Sequence, residues 1–320
     1  MKQMYRTGVI ALLAVTLLMA GLLAGCGGNN ETQPPADNGN ENGQEEPAEE
    51  MPGGFYEITG SDSEVNVVQA LVEAFAGIND VAEFSVTGGG SGTGISDLIN
   101  QTNDLAMSSR PMKDEEIDQA KANGVDPVAI CFAFDGLAVI VHENNPVQEL
   151  TIEQIGKIFA GEITNWSEVG GNNAPISLYG RQSTSGTYVF FRDNVVQGDY
   201  SPTMQNMPGT SQIVEGVRAD ETGIGYSAIG YVKGASGIKA LDVATEEGAP
   251  YISPLNDEKV FAGEYALTRP LFQFVNGKPG GALKQFIEFQ LSAAGQDIVV
   301  NEGFLPVTPE WVQKNAQVLN

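Results

Sequence analysis

Seven residues constrain this chain more than any others: Gly88-Gly89-Gly90-Ser91-Gly92-Thr93-Gly94, five of them glycine. Glycine tolerates positive φ, so such a loop can turn several N–H groups toward one point. Phe84 and Val86 alternate with polar residues just before it, which predicts a strand. Ile95, Leu98 and Ile99 follow at helical spacing. Loop amides and a helix N-terminus together suit an anion. A further apolar strand, Leu105 to Met107, delivers Ser108, Ser109 and Arg110 to its end. In parallel α/β sheets ligands sit beyond the carboxyl ends of strands, so both polar turns can face one ligand. A plain surface turn is the competing reading of the glycines.

The same device recurs. Phe55 to Thr59 predicts a strand, and Gly60-Ser61-Asp62-Ser63-Glu64 a turn. A helix follows with Val68, Leu71, Val72, Phe75 and Ile78 on one stripe. Ser61 and Glu64 have capping-box spacing, with Ser63 an alternative cap. Asp62 is either a helix-start residue favoured by the dipole or a carboxylate facing a ligand. The third copy is strand Ile176 to Tyr179, turn Gly180 to Thr187, and a helix carrying Val189, Phe190 and Phe191. It adds Arg181, which can grip an oxyanion bidentately, beside the hydroxyls of Ser185 and Thr187 and the open backbone of Gly186.

The formal net charge is −25, which argues against nucleic acid as a partner. With two cysteines and one histidine, neither a metal site nor a disulfide framework is expected, and no cofactor is implied. His142 reads as a solvated strand-end residue. Residues 1–25 read as a secretion signal: Lys2 and Arg6, an apolar run Val9 to Leu23, then Leu23-Ala24-Gly25-Cys26. Residues 26–54 form a polar tether; Glu31 to Gly54 holds seven acidic residues, no Lys or Arg and almost nothing apolar. Cys131, inside an apolar run, reads as a buried, inert thiol.

Lys113 to Ala122 predicts a solvated helix. Val128 to Val141 predicts a long buried strand broken at Asp135-Gly136, too short and too β-branched for a membrane span. Thr151 caps a helix reaching Ala160, and Trp166 reads as packing. Gln212 to Ala219 predicts a helix; Gly223 to Tyr226 and Ile229 to Val232 look strand-like. Tyr265 to Val275 is a second strand long enough to cross between two lobes, and an amphipathic helix spans Ala282 to Leu291. No internal repeat is detectable.

The segments GGGSGTGISDLINQTNDLAMSSRPMKDEE, ITNW, GRQSTSGTYVFFRD, GIGYSAIGYV and YALTRPLFQFV occur in this order. They resemble the phosphate-binding lipoproteins and periplasmic proteins of bacterial phosphate ABC transporters, over about Ile58 to Pro306. The resemblance implies an α/β, two-lobed periplasmic-binding-protein fold of type II, with an anion cleft and two linking strands. Residues 55–134 and 267–320 would form one lobe and 135–266 the other. It implies a monomer that binds inorganic phosphate, docks on permease subunits and performs no chemistry. The Leu-Ala-Gly-Cys ending resembles a lipobox, implying cleavage before Cys26 and a lipid anchor holding the protein outside the cytoplasm at the membrane.

Carried over residue by residue, the anion contacts are Ser63, Ser91, Arg181, Ser185, Gly186 and Thr187. Arg181 is the expected charge partner and the others neutral donors. Thr93 is a further candidate; Arg110 is a second cation or, preferably, a surface charge. Two departures matter. Well-studied members have Asp where this chain has Ser109, and that Asp accepts the proton of monohydrogen phosphate; relatives commonly have Thr where this chain has Asp62. The expectation is that the carboxylate has moved: Asp62 accepts the proton and Ser109 donates, with Asp135 next in line. The alternatives are another tetrahedral oxyanion (sulfate, molybdate, tungstate) or a secreted hydrolase using Ser91 or Ser185. The hydrolase lacks a placed base, and neither serine lies in a G-x-S-x-G elbow. A nucleotide site would need the P-loop lysine that the glycine loop lacks.

Overall fold

A computed structural model describes residues 51–319. The secretion segment, Cys26 and the tether as far as Glu50 lie outside the described residues. In chain order the first elements are β1 (Gly54–Gly60), α1 (Val65–Phe75), β2 (Ala82–Thr87), α2 (Ser91–Ile99), β3 (Leu105–Ser108), α3 (Asp114–Ala122) and β4 (Pro127–Gly136). A middle series follows: β5 (Ala138–His142), β6 (Glu149–Thr151), α4 (Ile152–Ala160), β7 (Ser177–Arg181), α5 (Gly186–Phe191), β8 (Gln205–Met207), α6 (Thr210–Arg218), β9 (Gly223–Ser227), β10 (Ile238–Ala240), β11 (Asp242–Ala244) and α7 (Asp257–Phe261). The chain returns through β12 (Thr268–Asn276) and ends in α8 (Gly281–Leu291), α9 (Ala293–Asn301) and α10 (Pro309–Leu319).

Two five-stranded sheets centre two lobes. One runs β2-β1-β3-β12-β4 and the other β10-β5-β9-β7-β8. β1 pairs parallel with β2 and β3, and β7 pairs parallel with β8 and β9. The turns after β1, β2, β3 and β7 therefore stand at carboxyl strand ends, where ligands of open α/β sheets bind. β4 and β12 lie side by side, antiparallel, with Asp135 opposite Arg269 and Gly136 opposite Thr268. Leu137 then donates its N–H to Leu267 O at 2.9 Å, and β5 begins the second sheet at Ala138. The break at Asp135-Gly136 is where the chain leaves one sheet for the other.

Each lobe has its own core. On α1, Val67, Val68, Leu71 and Phe75 are buried at helical spacing. Phe75 meets Phe84 edge-on, with centroids 5.8 Å apart, and meets Phe286 of α8 at 5.5 Å. In the second lobe Phe191 stacks on Tyr226 with centroids 4.2 Å apart, and Phe159 meets Phe191 edge-on at 4.9 Å. Each such ring is worth roughly 1.5–3 kcal/mol of burial. Trp166 packs in the same core and donates Nε1–H to Thr222 O at 2.9 Å. Cys131 is buried and its thiol is pushed up to about 12 by burial, as its place in an apolar run requires. Among the described residues no helix is long and apolar enough to cross a membrane.

Two expectations need correcting, and one helix goes beyond them. Glu64, not Ser61 or Ser63, is the N-cap of α1, and no side chain caps that end. The main chain at Ser61 through Glu64 is spent on a tight turn, with Glu64 N–H bonded to Ser61 O at 3.1 Å. Ile229 to Tyr231 is a 3-10 turn rather than a strand, because Ala228 and Ile229 bury into the core of the first lobe. A Ser292-capped helix, α9, follows α8 directly and was not anticipated.

Candidate anion-binding site

The polar turns of both lobes meet. Ser63 follows β1, Ser91 opens α2, Ser109 follows β3, and Ser185 to Thr187 open α5. Ser63 Oγ lies 2.9 Å from Thr187 Oγ1 across the cleft. Gly92 N–H donates to Thr184 O at 2.8 Å, again from lobe to lobe. Gly90, at φ +97°, comes so near that an added Cβ would sit 2.7 Å from Thr184 O. Gly186 is pressed against the Ser91 and Ser109 hydroxyls; a Cβ there would lie 2.7 Å from Ser109 Oγ. The cleft is closed, and Ser63, Ser91, Ser109, Arg181, Ser185 and Thr187 are all buried to 2% exposure or less.

The hydroxyls share one arrangement. A hydroxyl has one proton to give and two lone pairs that accept. Ser91 Oγ accepts Ser109 N–H at 3.1 Å, with Ser109 Oγ 3.4 Å away. Ser185 Oγ caps α5 by accepting from Thr187 N–H at 3.2 Å and Tyr188 N–H at 3.3 Å. Thr187 Oγ1 and Ser63 Oγ accept from Arg269 Nη2 at 3.1 and 3.4 Å. Ser63, Ser91, Ser185 and Thr187 thus each accept from a protein N–H. In the Ser63–Thr187 and Ser91–Ser109 pairs one hydroxyl donates to the other, protons that an oxyanion can take over.

Arg181 supplies charge. Its main-chain N–H donates to Tyr226 Oη at 2.9 Å, and burial pushes the Tyr226 phenol up to about 12, so Tyr226 stays neutral. Nη1 donates to Thr210 Oγ1 at 2.9 Å, and Nη2 to Pro208 O at 2.9 Å and to Asp62 Oδ2. Nε, equally buried, has no partner. A buried charged donor left unpaired costs free energy, so this N–H is a vacancy for an acceptor. Asp62 also accepts Gly89 N–H at 3.3 Å, while its carbonyl accepts Tyr231 Oη–H at 2.7 Å. A carboxylate has about four acceptor positions, so Asp62 keeps capacity to take a ligand's proton.

The PBP superfamily domain model matches residues 33–294. A phosphate-binding protein PstS of Pseudomonas aeruginosa is 33% identical over 82% of this chain and 85% of its own length. The chain belongs to the PBP superfamily, alongside the PstS phosphate-binding proteins. The PstS of Bacillus subtilis is 29% identical over 95% of this chain and 97% of its own. Among solved structures, a candidate phosphate ABC transporter substrate-binding protein from Clostridium perfringens, with bound phosphate, superposes with a TM-score of 0.71. It shares 33% identity, covering 80% of this chain and all of that one. A PBP-superfamily protein of this kind is a transporter's substrate-binding protein and not an enzyme.

Within that frame some candidates stand elsewhere. Thr93 Oγ1 donates to Gly89 O at 2.8 Å and so stabilises its own loop. Arg110 is neither a second site cation nor a surface charge. It is buried and forked onto Glu116, with both N–O distances 2.7 Å. Burial alone would raise the Glu116 carboxyl, but the hydrogen bonds from Arg110 and Lys113 N–H hold it below its usual range. Asp135 is fully buried. Its Oδ2 takes Arg269 Nε at 3.0 Å and Nη2 at 2.8 Å, and its Oδ1 takes Ile229 N–H at 2.9 Å. Asp135 thus accepts three hydrogen bonds where the Asp62 carboxylate accepts two.

Sequence reasoning named Arg181 and Arg110 as candidate cations and missed Arg269, which is 2% exposed and reaches hydroxyls of both lobes. The available signal was an Arg inside an apolar crossover strand, a position that demands an acid partner. It also missed Glu64, wholly buried beside Ser63. Burial pushes its carboxyl well up. Ser61 and Ser108 lie close enough to lower it somewhat, but neither oxygen has a partner in hydrogen-bond geometry, so burial prevails. Among the described residues no group of three His, Cys, Asp or Glu could hold a metal ion.

Proposed function

We infer that this protein captures inorganic phosphate outside the cytoplasm by closing two lobes on it, and delivers it to the permease of an ABC transporter. The observation that carries this is the convergence of Arg181, with its unpartnered Nε, and buried hydroxyls of both lobes that already accept from protein N–H groups. The phosphate named in the relatives supports the choice of anion. Arg181, Ser63, Ser91, Ser109, Ser185, Gly186 and Thr187 are the proposed contacts. Asp62 is the proposed acceptor of the proton that monohydrogen phosphate carries and sulfate lacks. Residues 55–134 with 267–320, and residues 135–266, are the proposed lobes. A lipid on Cys26 would hold the protein at the membrane, and it would work as a monomer. Sulfate, molybdate and tungstate fit the donors but leave Asp62 without a proton to accept. The hydrolase reading is not favoured: His142 accepts Asn144 N–H through Nδ1 at the end of β5, in a local turn.

Equilibrium binding of radiolabelled phosphate to the full chain tests this. Wild type is expected to bind. Arg181→Met is expected to bind at least ~100-fold more weakly, the loss of a buried charged donor to the anion. No binding by wild type, or equal binding by the variant, would reject the reading.

A further inference from the structure

We propose that Arg269, held by Asp135 on the two crossover strands, is a positioning residue of the anion site that turns the Ser63 and Thr187 hydroxyl protons toward the ligand. The inference rests on the reading of the site as an anion site. Asp135 and Arg269 are register partners on β4 and β12, the strands that join the lobes. The guanidinium is fixed from several sides. Asp135 Oδ2 takes Nε and Nη2, Ser109 O lies 3.5 Å from Nη1, and the Phe190 ring packs under it with its centroid at 5.3 Å. Asp135 is itself fixed by Ile229 N–H at 2.9 Å.

Nη2 carries two hydrogens. One serves Asp135. The other lies between Thr187 Oγ1 at 3.1 Å and Ser63 Oγ at 3.4 Å, oxygens supplied by opposite lobes. An arginine can donate but never accept, so it occupies lone pairs and nothing else. A hydroxyl whose lone pair is so engaged directs its proton away from the arginine. Ser63 and Thr187 also bond each other at 2.9 Å, a bond that an oxyanion would take over from both. Arg269 thus acts through two hydroxyls. Because Asp135 balances its charge, its effect is one of orientation more than of net potential.

A double-mutant cycle in phosphate affinity tests this on the full chain, with Tm recorded for every variant. Arg269→Gln and Thr187→Val are each expected to weaken binding about tenfold or more. The double variant is expected to lie within about threefold of the worse single, because the second change removes what the first already spoiled. Arg269→Lys keeps the charge but offers a single head that cannot hold Asp135 and both hydroxyls. It should lose nearly as much as Arg269→Gln, and it replaces that variant if Arg269→Gln does not fold. Losses that multiply, full affinity in Arg269→Gln, or full rescue by Arg269→Lys would overturn the inference. Phosphate binding by wild type separates this from the underlying reading: if wild type does not bind, that reading fails first.

Discussion

At the scale of single residues, the site is built from groups held in one role. Ser185 caps a helix and in doing so spends its acceptor side. Tyr226, kept neutral by burial, fixes the main chain of Arg181. Glu64 stands apart, a buried carboxyl with no hydrogen-bond partner. Its folded pKa is raised above its unfolded one, so its contribution is intact below about 4.5 and is lost as pH rises. Glu64→Gln should therefore match wild type in Tm near pH 4 and exceed it at pH 8 by about 2–4 °C, the shift that ~1 kcal/mol makes in a domain of this size. Thermal melts at the two pH values check this; a gain that is equal at both would mean the carboxyl is not the cause. The candidate site residues with a local signature in the sequence are Ser91 in its glycine loop, and Arg181 and Ser185 in a polar turn before an apolar helix. Arg269 was not legible, because its partner Asp135 lies 134 positions away and only the pairing of β4 with β12 joins them.

At the scale of elements, strand, polar turn and helix occur twice in the first sheet, where parallel pairing sets the carboxyl ends of β1 and β2 side by side, and once more at β7 of the second. That much follows from periodicity and turn chemistry: α2, α4 and α8 begin and end close to where their apolar stripes require, whereas α1 stops at Phe75 and leaves Ile78, read as part of its stripe, exposed. The misread segment, Ile229 to Tyr231, has strand-like composition. Its apolar residues are buried by docking on the other lobe's core and not by a neighbouring strand, a tertiary effect that composition does not carry. The close approach of α5 to α2 is an element-scale constraint. Gly186→Ala would drive a methyl into the Ser91 and Ser109 hydroxyls, so the lobes could not reach their present separation. Phosphate affinity should fall ~100-fold or more, while Tm without phosphate changes by no more than ~2 °C. Titration and melting of that variant check this, and unchanged affinity would show that the two turns do not meet when the anion is bound.

At the scale of the whole molecule, an acidic protein of net charge −25 must attract an anion with local groups alone. It does so by enclosing them: cross-cleft bonds such as Gly92 N–H to Thr184 O and Ser63 Oγ to Thr187 Oγ1 exist only when the lobes are together. A ligand can favour that state only by touching both sides. The positive charges of Arg181 and Arg269 are each offset by a carboxylate, so selectivity depends on matching protons to acceptors more than on charge. Calorimetric titration of the full chain and of Asp62→Asn with phosphate and sulfate at pH 8 measures this directly. Phosphate then carries one proton and sulfate none. The account predicts that wild type prefers phosphate by ~1000-fold or more, and that Asp62→Asn narrows the gap by about tenfold or more. Equal affinity of wild type for the two anions would contradict it.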